Sequence, residues 1–280
     1  MKLLLLAGFV YLAWPAAGGD LSYVVLNGRS SQNGLVRVSA DGKSMITIAR
    51  RASGSGLAKD HDGNYIVASV HWLLRVTPAG EVTTIAEAPG GSQWMSVTLD
   101  AAGNFFVSDN VQHAVWRVSP DGAIVAKLWT YPIIRLAEME DTSMALDSRG
   151  NLVLVEDNGF SAHLFRISAA GEATPIPLSR ALRRVSSLMI DSQGNYVLLD
   201  YADCELLRVT LSGNVTSIAR MEPRKNMTAF TQDPETGDYV VAVNFAHGLF
   251  RMGASQSGFL VVNNHQYLNY PTAVIVEQSK

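Results

Sequence analysis

Beyond residue 20, the chain alternates short apolar runs with polar turns rich in Asp, Asn and Gly. Runs such as residues 105–107 and 196–199 consist of β-branched, aromatic and other apolar residues and have the length of a strand. No later stretch repeats its apolar residues with the 3.6-residue period of an amphipathic helix. The pattern therefore predicts an all-β chain of many short strands.

One polar turn recurs as Asp-x-x-Gly-Asn. Its copies begin at Asp60, Asp100, Asp147 and Asp191, and a fifth with one extra residue begins at Asp233. In such a turn the Asp side chain accepts a backbone N–H and the glycine takes a positive φ. The glycines are spaced by 40, 47, 44 and 43 residues. That period is typical of the four-stranded blades of a β-propeller.

A second repeat places an arginine between two apolar residues, usually before a Ser or Thr and a glycine turn. Its six copies are centred on Arg37, Arg75, Arg117, Arg166, Arg208 and Arg251. The two motifs divide each unit into four antiparallel strands. The first strand ends at the Asp, the second follows the Gly-Asn, the third holds the Arg, and the fourth follows the second glycine.

The arginine motif occurs six times and the Asp motif only five times. The segment 21–50 supplies a second, third and fourth strand but no first strand. The segment 272–277 is an isolated apolar run at the other end of the chain. We therefore predict a six-bladed β-propeller whose C-terminal strand pairs with the N-terminal strands and removes the free sheet edge.

The expected propeller covers residues 20–280 and is expected to be a monomer. Its blades are predicted at 57–90, 94–130, 141–178, 184–220 and 226–264, with the sixth formed by 270–277 together with 20–50.

Residues 1–19 have the layout of a secretory signal peptide, in which Lys2 precedes a short apolar run and small residues follow. The run is shorter than the roughly 20 residues that a membrane span needs, and we expect a secreted or periplasmic protein with no transmembrane span after cleavage.

A single cysteine, Cys204, excludes an internal disulfide. The net charge of −3 offers no basic excess, so we expect no nucleic-acid partner.

Residues 105–122, which run from an apolar strand through an Asp-Asn turn to Trp116-Arg117-Val118, resemble an NHL repeat. The resemblance extends over nearly all of the chain at one copy per blade. It places the chain near the virginiamycin B lyase-like and gluconolactonase-like propellers. It is specific for the fold and weak for function, because one fold hosts unrelated activities.

The gluconolactonase resemblance implies a divalent metal over the central channel, held by carboxylate and amide side chains near the starts of the innermost strands. The matching positions here, five residues before each repeat Asp or at the start of the last strand, carry Ser55, Met95, Thr142, Ser186, Thr228 and Thr272. None of them is a usual ligand of a hard cation. The lyase resemblance is supported by Glu156 alone, because that family's Trp-Phe-Thr-Glu strand is missing.

The turns between second and third strands share one face with the connections between blades, where propellers commonly bind small ligands. Candidate ligand-binding residues on this face are Trp94, Asp109, Asn110, Glu156, Asp157, Asn158, Arg184, Asp200, Asp203, Arg224 and Asn244. Asp109, Glu156, Asp157 and Asp200 are the candidate metal ligands, and Ca²⁺ or Mg²⁺ is the cofactor they would suit. Alternatively, these Asp and Asn residues only end strands and cap turns. Glu156 is expected to differ from its equivalents, which we place at Ser108 and Leu199.

Four histidines, His71, His113, His163 and His247, lie three or four residues before a repeat arginine. Because successive blades hold such positions apart, we expect a repeated hydrogen bond at the start of the third strand rather than a shared metal. The six arginines are likewise expected to pair with neighbouring carboxylates or carbonyls.

Two functions remain open from the sequence. The first is a binding propeller whose polar channel-mouth face holds a small molecule, a peptide or a cell-envelope protein. The second is a lyase or lactone hydrolase that uses a divalent cation near Glu156. The sequence favours the first, since it contains no recognised catalytic motif.

Overall fold

The computed structural model describes residues 21–28, 34–130, 141–157, 160–221, 226–253, 259–264 and 266–278. Every regular element in these ranges is a β-strand. The predicted signal peptide, residues 1–19, lies outside the described residues. Among the residues described, no helix has the length and apolar character that a membrane crossing needs.

The strands follow one another at the short intervals that the repeats predict. In chain order they are β1 Leu21–Asn27, β2 Leu35–Ser39, β3 Met45–Ala49, β4 Gly56–Lys59, β5 Tyr65–Ser69, β6 Trp72–Val76, β7 Val82–Glu87, β8 Trp94–Leu99, β9 Phe105–Asp109, β10 Ala114–Val118, β11 Ile124–Thr130, β12 Asp141–Leu146, β13 Leu152–Asp157, β14 Ala162–Ile167, β15 Ala173–Pro175, β16 Val185–Ile190, β17 Tyr196–Asp200, β18 Glu205–Val209, β19 Val215–Arg220, β20 Met227–Gln232, β21 Tyr239–Val243, β22 Gly248–Met252, β23 Phe259–Asn263 and β24 Pro271–Gln278.

These strands form six four-stranded antiparallel sheets, which confirms the six-bladed propeller. Blades 1 to 5 are the consecutive quartets β4–β7, β8–β11, β12–β15, β16–β19 and β20–β23. Blade 6 has the order β24-β1-β2-β3, so its first strand comes from the C-terminal end of the described chain. In this pairing Leu21 is opposite Gln278 and Leu26 is opposite Ala273. The predicted ring closure is therefore confirmed.

The Asp-x-x-Gly-Asn turns join the first and second strands as hairpins. In blade 1, Oδ1 of Asp60 accepts the backbone N–H groups of Asp62 and Asn64, and the Asn64 side chain donates to Oδ2. Gly63 closes the turn with a φ of 86°. The same bonds recur in the turns that begin at Asp100, Asp147 and Asp191.

The repeat arginines connect these turns to the next blade. Arg208 lies 3.1 Å from Oδ2 of Asp191 in its own blade. Arg251 lies 2.7 Å from Oδ2 of Asp233 and donates to the hydroxyl of Tyr23 in the following blade. Arg37 and Arg166 make the matching bonds to Tyr65 and Tyr196 of their following blades. The prediction that the arginines pair with neighbouring carboxylates is confirmed in these blades.

Glu277 replaces the missing sixth Asp at the seam of the ring. Blade 6 has no hairpin between its first two strands, because they come from opposite ends of the chain. Its arginine, Arg37, instead pairs with Glu277 of β24 at 2.9 Å. Glu277 also accepts bonds from Lys59 and Tyr65 of blade 1, at 2.7 and 2.9 Å. One carboxylate thus ties the last strand both to its own blade and to the next.

The hydrophobic core is divided into six clusters, each of which lies between two neighbouring blades. The outer strands touch the next blade as well. In five blades, the fourth strand has a bulged residue at the same position opposite the third strand: Ile48, Ile85, Leu128, Ile218 and Val261. The fourth strand of blade 2 has a second bulge at Val125. The carbonyl of Ile48 lies 2.2 Å from where a Cβ on Gly80 would be, so only glycine fits this turn. Gly42, Gly122 and Gly171 meet the bulges of their preceding blades in the same way.

The seam provides a direct test of ring closure. Although burial opposes the charged form, hydrogen bonds from Lys59 and Tyr65 and the charge of Arg37 hold the pKa of Glu277 below its usual value. A lowered pKa stabilises the fold above the unfolded-state value of about 4.3, and this contribution disappears as the pH falls through the folded-state value. We expect Glu277→Gln to destabilise the protein by about 1–3 kcal/mol at pH 7 and the difference from wild type to shrink near pH 3. Thermal unfolding of the wild type and the variant at both pH values measures this difference in stability.

The control is Glu172→Gln, at an exposed position of a turn in blade 3. It should leave the melting temperature within one degree or so of wild type, because surface changes of this kind are worth about 0.5 kcal/mol or less. Equal effects of the two substitutions would contradict the role assigned to Glu277.

Candidate functional site

Antiparallel pairing places two sets of segments on one end of the ring, which we call the loop face. These segments are the turns between second and third strands and the connections between blades, since first and third strands start at the end where second and fourth strands stop. The candidate residues that the structure describes lie in these segments or at the strand ends next to them. A ligand can contact only those side chains that are not buried or fully hydrogen bonded within the protein.

Asp109 is fully buried at the end of β9 and acts as a turn cap. Its Oδ1 accepts the backbone N–H groups of Gln93, Val111 and Gln112 at 3.0 to 3.2 Å. Its Oδ2 accepts the indole N–H of Trp116 at 3.0 Å. These bonds fix both the turn and the connection that enters blade 2.

Asp200 has the same role in blade 4. Its Oδ1 accepts the backbone N–H groups of Ala202 and Asp203 at 3.1 and 3.2 Å. Burial raises the pKa of Asp200 above its usual value, and the nearby charge of Asp203 acts in the same direction, although the backbone N–H donors oppose the shift. The carboxyl is therefore a structural group that faces the protein interior.

Asn110 and Asp157 reach forward to the next blade. Oδ1 of Asn110 accepts the hydroxyl of Thr142 at the start of blade 3, at 3.0 Å. Oδ2 of Asp157 accepts the backbone N–H of Val185 at the start of blade 4, at 3.1 Å. These bonds hold one blade against another at the loop face.

Strand register corrects the expected equivalents of Glu156. In β9, β13 and β17 the residues opposite the repeat arginines are Phe106, Val153 and Val197. Three residues further along each strand lie Asp109, Glu156 and Asp200. Glu156 is therefore equivalent to these two aspartates, and the equivalence to Ser108 and Leu199 is wrong by one residue. Glu156 is 3% exposed, so it also faces inward.

The remaining candidates differ in their exposure. Trp94 is fully buried, and Asn244 is buried with its carbonyl accepting the N–H of His247 at 2.8 Å. Arg184 and Asp203 reach the surface, and the Arg184 guanidinium lies 4.8 Å from the ring centre of Tyr201. Asn158 and Arg224 lie outside the described residues.

The predicted metal ligands do not assemble. Within the described ranges, no three His, Cys, Asp or Glu side chains come together in an arrangement that could hold a metal ion. Asp109, Asp157 and Asp200 belong to three successive blades, and each accepts a hydrogen bond from the main chain. The donors to Asp109 and Asp200 include backbone groups of their own blade's turn, and the donor to Asp157 is Val185 of the next blade.

Hydroxyl side chains at the innermost strand starts connect neighbouring blades. Thr228 donates to the carbonyl of Pro271 at 2.7 Å, and Thr272 donates to the carbonyl of Gly54 at 2.8 Å. Ser186 donates to the carbonyl of Met227 at 3.1 Å. These positions match those at which gluconolactonase-like proteins are expected to hold a metal. Here the hydroxyls of blades 4, 5 and 6 donate to the backbone of the following blade or of the connection that enters it.

Two of the repeat histidines make the expected bonds near the start of the third strand. Nδ1 of His71 donates to the carbonyl of Ser92 at 3.2 Å, and Nδ1 of His247 donates to the carbonyl of Asn269 at 2.7 Å. Each bond fixes the connection to the following blade.

Exposed apolar side chains are the feature of the loop face that the sequence reading missed. Phe160 and Phe245, in the turns of blades 3 and 5, are 69% and 72% exposed. Trp72, Val111 and Tyr270, on blades 1, 2 and 6 or their connections, are each nearly half exposed. The face was expected to be polar, but most of its acidic candidates are buried and large apolar groups reach solvent. In the sequence, the signal for this feature was the presence of Val111, Phe160 and Phe245 within short turns between strands.

Comparison with known proteins supports the fold. No family model matches the chain, and no curated protein is similar to it in sequence. The structure is similar to a chain in the crystal structure of a nidogen/laminin complex, with a TM-score of 0.72 and 15% identity, over 91% of this chain and 98% of that one.

It is also similar to a catalytically inactive variant of virginiamycin B lyase from Staphylococcus aureus crystallised with quinupristin, with a TM-score of 0.60 and 15% identity, over 91% of this chain and 78% of that one. A putative gluconolactonase matches with a TM-score of 0.61 and 18% identity, over 87% of this chain and 94% of that one. The resemblance to both propeller groups is thus confirmed, and at these identities it establishes the fold alone.

The structural role of Asp109 is testable by truncation. Asp109→Ala removes the acceptor of three backbone N–H groups and one indole N–H. We expect a loss of about 2–4 kcal/mol in the free energy of unfolding, since buried donors are left without acceptors. Urea denaturation measures it.

Asp203→Ala is the matched control, because this aspartate lies at the same face but is exposed. It should change the free energy of unfolding by about 0.5 kcal/mol or less. If both substitutions are equally mild, the assignment of Asp109 as a structural cap is wrong.

Proposed function

We propose that this chain is an exported binding propeller that uses the loop face to hold a protein partner. The observation that carries the proposal is the set of large apolar side chains exposed on that face, of which Phe160 and Phe245 are the most exposed. Among the described residues, the large apolar side chains that are exposed include four aromatic ones, and all four lie on this face: Trp72, Phe160, Phe245 and Tyr270. Aromatic anchors are also enriched at the centres of protein interfaces.

The distribution of these residues favours a macromolecule over a small ligand. Trp72, Val111, Phe160, Phe245 and Tyr270 belong to five of the six blades, so they are spread around the ring instead of lining one pocket. Charged groups of blade 4, such as Arg183 and Asp203, are exposed on the same face. Apolar anchors with a polar surround are the usual composition of an interface.

The structural relatives are compatible with this use. One similar chain comes from the crystal structure of a nidogen/laminin complex. Export is inferred from the predicted signal peptide, and it would place the partner in the periplasm or outside the cell.

Site-specific photo-crosslinking tests the proposed interface. A benzophenone amino acid is placed at Phe160 or Phe245 and the protein is expressed in its own host. We expect both positions to give the same covalent adduct with another protein. The control position is Leu211, which is 58% exposed on a turn at the opposite end of the ring, and it should give no such adduct. Absence of adducts at the two loop-face positions, or equal adducts at all three, would refute the proposal.

The alternative function, a lyase or lactone hydrolase with a cation near Glu156, can be tested by cation binding. A cation that binds only the folded state raises the melting temperature. We expect millimolar Ca²⁺ or Mg²⁺ to leave the melting temperatures of wild type and Glu156→Gln unchanged, since Asp109, Asp157 and Asp200 are engaged with the main chain. An increase in wild type that is absent in the variant would favour the enzyme, and elemental analysis of the purified protein would then identify the metal.

A further inference from the structure

The fourth strand of blade 3 differs from those of the other blades. β15 has only three residues and pairs with β14 at Phe165 through Ile167. The chain then makes isolated contacts with β14, from the N–H of Ile176 to the carbonyl of Leu164 at 2.9 Å and from the N–H of Ala162 to the carbonyl of Leu182 at 3.1 Å. Residues 177–181 therefore stand opposite His163 alone, whereas in the other five blades the register shifts by a single residue close to the equivalent position.

Two prolines and contacts with the next blade explain why residues 177–181 do not pair with β14. Pro175 and Pro177 have no backbone N–H, so they cannot donate to the ladder of β14. The carbonyl of Pro177 instead packs on the turn of blade 4, 1.7 Å from where a Cβ on Gly213 would lie. Ser179 donates its N–H to Gly213 at 2.9 Å and accepts that of Val215 at 2.8 Å through its hydroxyl. The segment is thus fixed on blade 4 while it is detached from its own blade.

A cleft of about 380 Å³ opens between β14 and this detached segment. Its apolar lining includes Leu164, Ile176, Leu178 and Leu182. Its polar lining includes Ser161, His163 and Arg180. Ligand sites in proteins commonly combine a preformed, mostly apolar cavity of this size with a few polar groups.

The charge at the rim of the cleft is positive. Nη2 of Arg180 donates to Oε2 of Glu205 at 2.6 Å, which anchors the guanidinium, and the Arg180 side chain remains 42% exposed. Arg220 pairs with Oε1 of the same glutamate. Two guanidinium groups around one carboxylate leave one net positive charge. An arginine held in this way presents its remaining donors in a fork that suits a second carboxylate.

We propose that this cleft binds a small amphipathic carboxylate, with its apolar body along the accessible side chains of Pro177, Leu178 and Ala181 and its carboxylate at Arg180. The site lies on the outer side of blade 3 and is separate from the interface proposed for the loop face, so each can fail without the other. Because the cleft is already open to solvent, no large rearrangement is needed for entry.

Octanoate is the probe, and 1-octanol is its uncharged counterpart. Calorimetric titration of the purified full-length chain should show saturable binding of octanoate that is at least tenfold tighter than that of octanol. Arg180→Gln should weaken octanoate binding at least tenfold and leave octanol binding unchanged. Ala181→Trp, which places an indole into the cleft lining, should abolish both.

Arg220→Gln is the matched control, because it removes the other arginine partner of Glu205 without changing a residue that lines the cleft. It should retain octanoate binding within about threefold. The melting temperature of each variant confirms that it is folded. No saturable binding by wild type, equal binding of octanoate and octanol, or equal losses in the Arg180 and Arg220 variants would each overturn the proposal.

Discussion

Contact between neighbouring blades is the interaction on which this molecule depends. Each of the six apolar clusters joins residues from two adjacent blades, so no blade has a core of its own. The polar contacts follow the same rule, since the arginines of three blades donate to the tyrosine of the next blade, and the bulged fourth strands of four blades pack on a glycine turn of the next. Such an arrangement is complete only when the ring closes. The pairing of β24 with β1 therefore supports every other contact in the ring.

The loop face shows how side chains that suggest chemistry can serve architecture. Asp109 and Asp200 satisfy backbone donors in their turns, Asn110 and Asp157 join successive blades, and His71 fixes a connection. In an irregular turn the backbone N–H groups have no strand partner, and burial makes an acceptor necessary. The side chains that reach solvent on this face then include large apolar groups, such as Phe160 and Phe245, beside charged groups, such as Arg183 and Asp203. The surface of the face is therefore less acidic than its sequence suggests.

The fold was predictable because its information is repeated. Six arginines and five Asp turns predict the same local geometry in each blade. Because the sixth blade has no Asp turn, its first strand must come from elsewhere in the chain, which identifies the closing strand. The site was less predictable because it depends on burial and register. Glu156 was misaligned by one residue, and the sequence could not show that Asp109 faces the main chain. The cleft in blade 3 did leave a signal, since Pro175 and Pro177 interrupt a fourth strand that contains no proline in the other blades.

The seam also orders events during synthesis. β1, β2 and β3 are the first described strands to leave the ribosome, but their innermost partner, β24, follows roughly 200 residues later. At translation rates of about 5–20 residues per second, these three strands wait roughly 10–40 s for the strand that completes their sheet. During this interval β1 presents an unpaired edge. The strands made first in the described propeller are thus the last to become fully native.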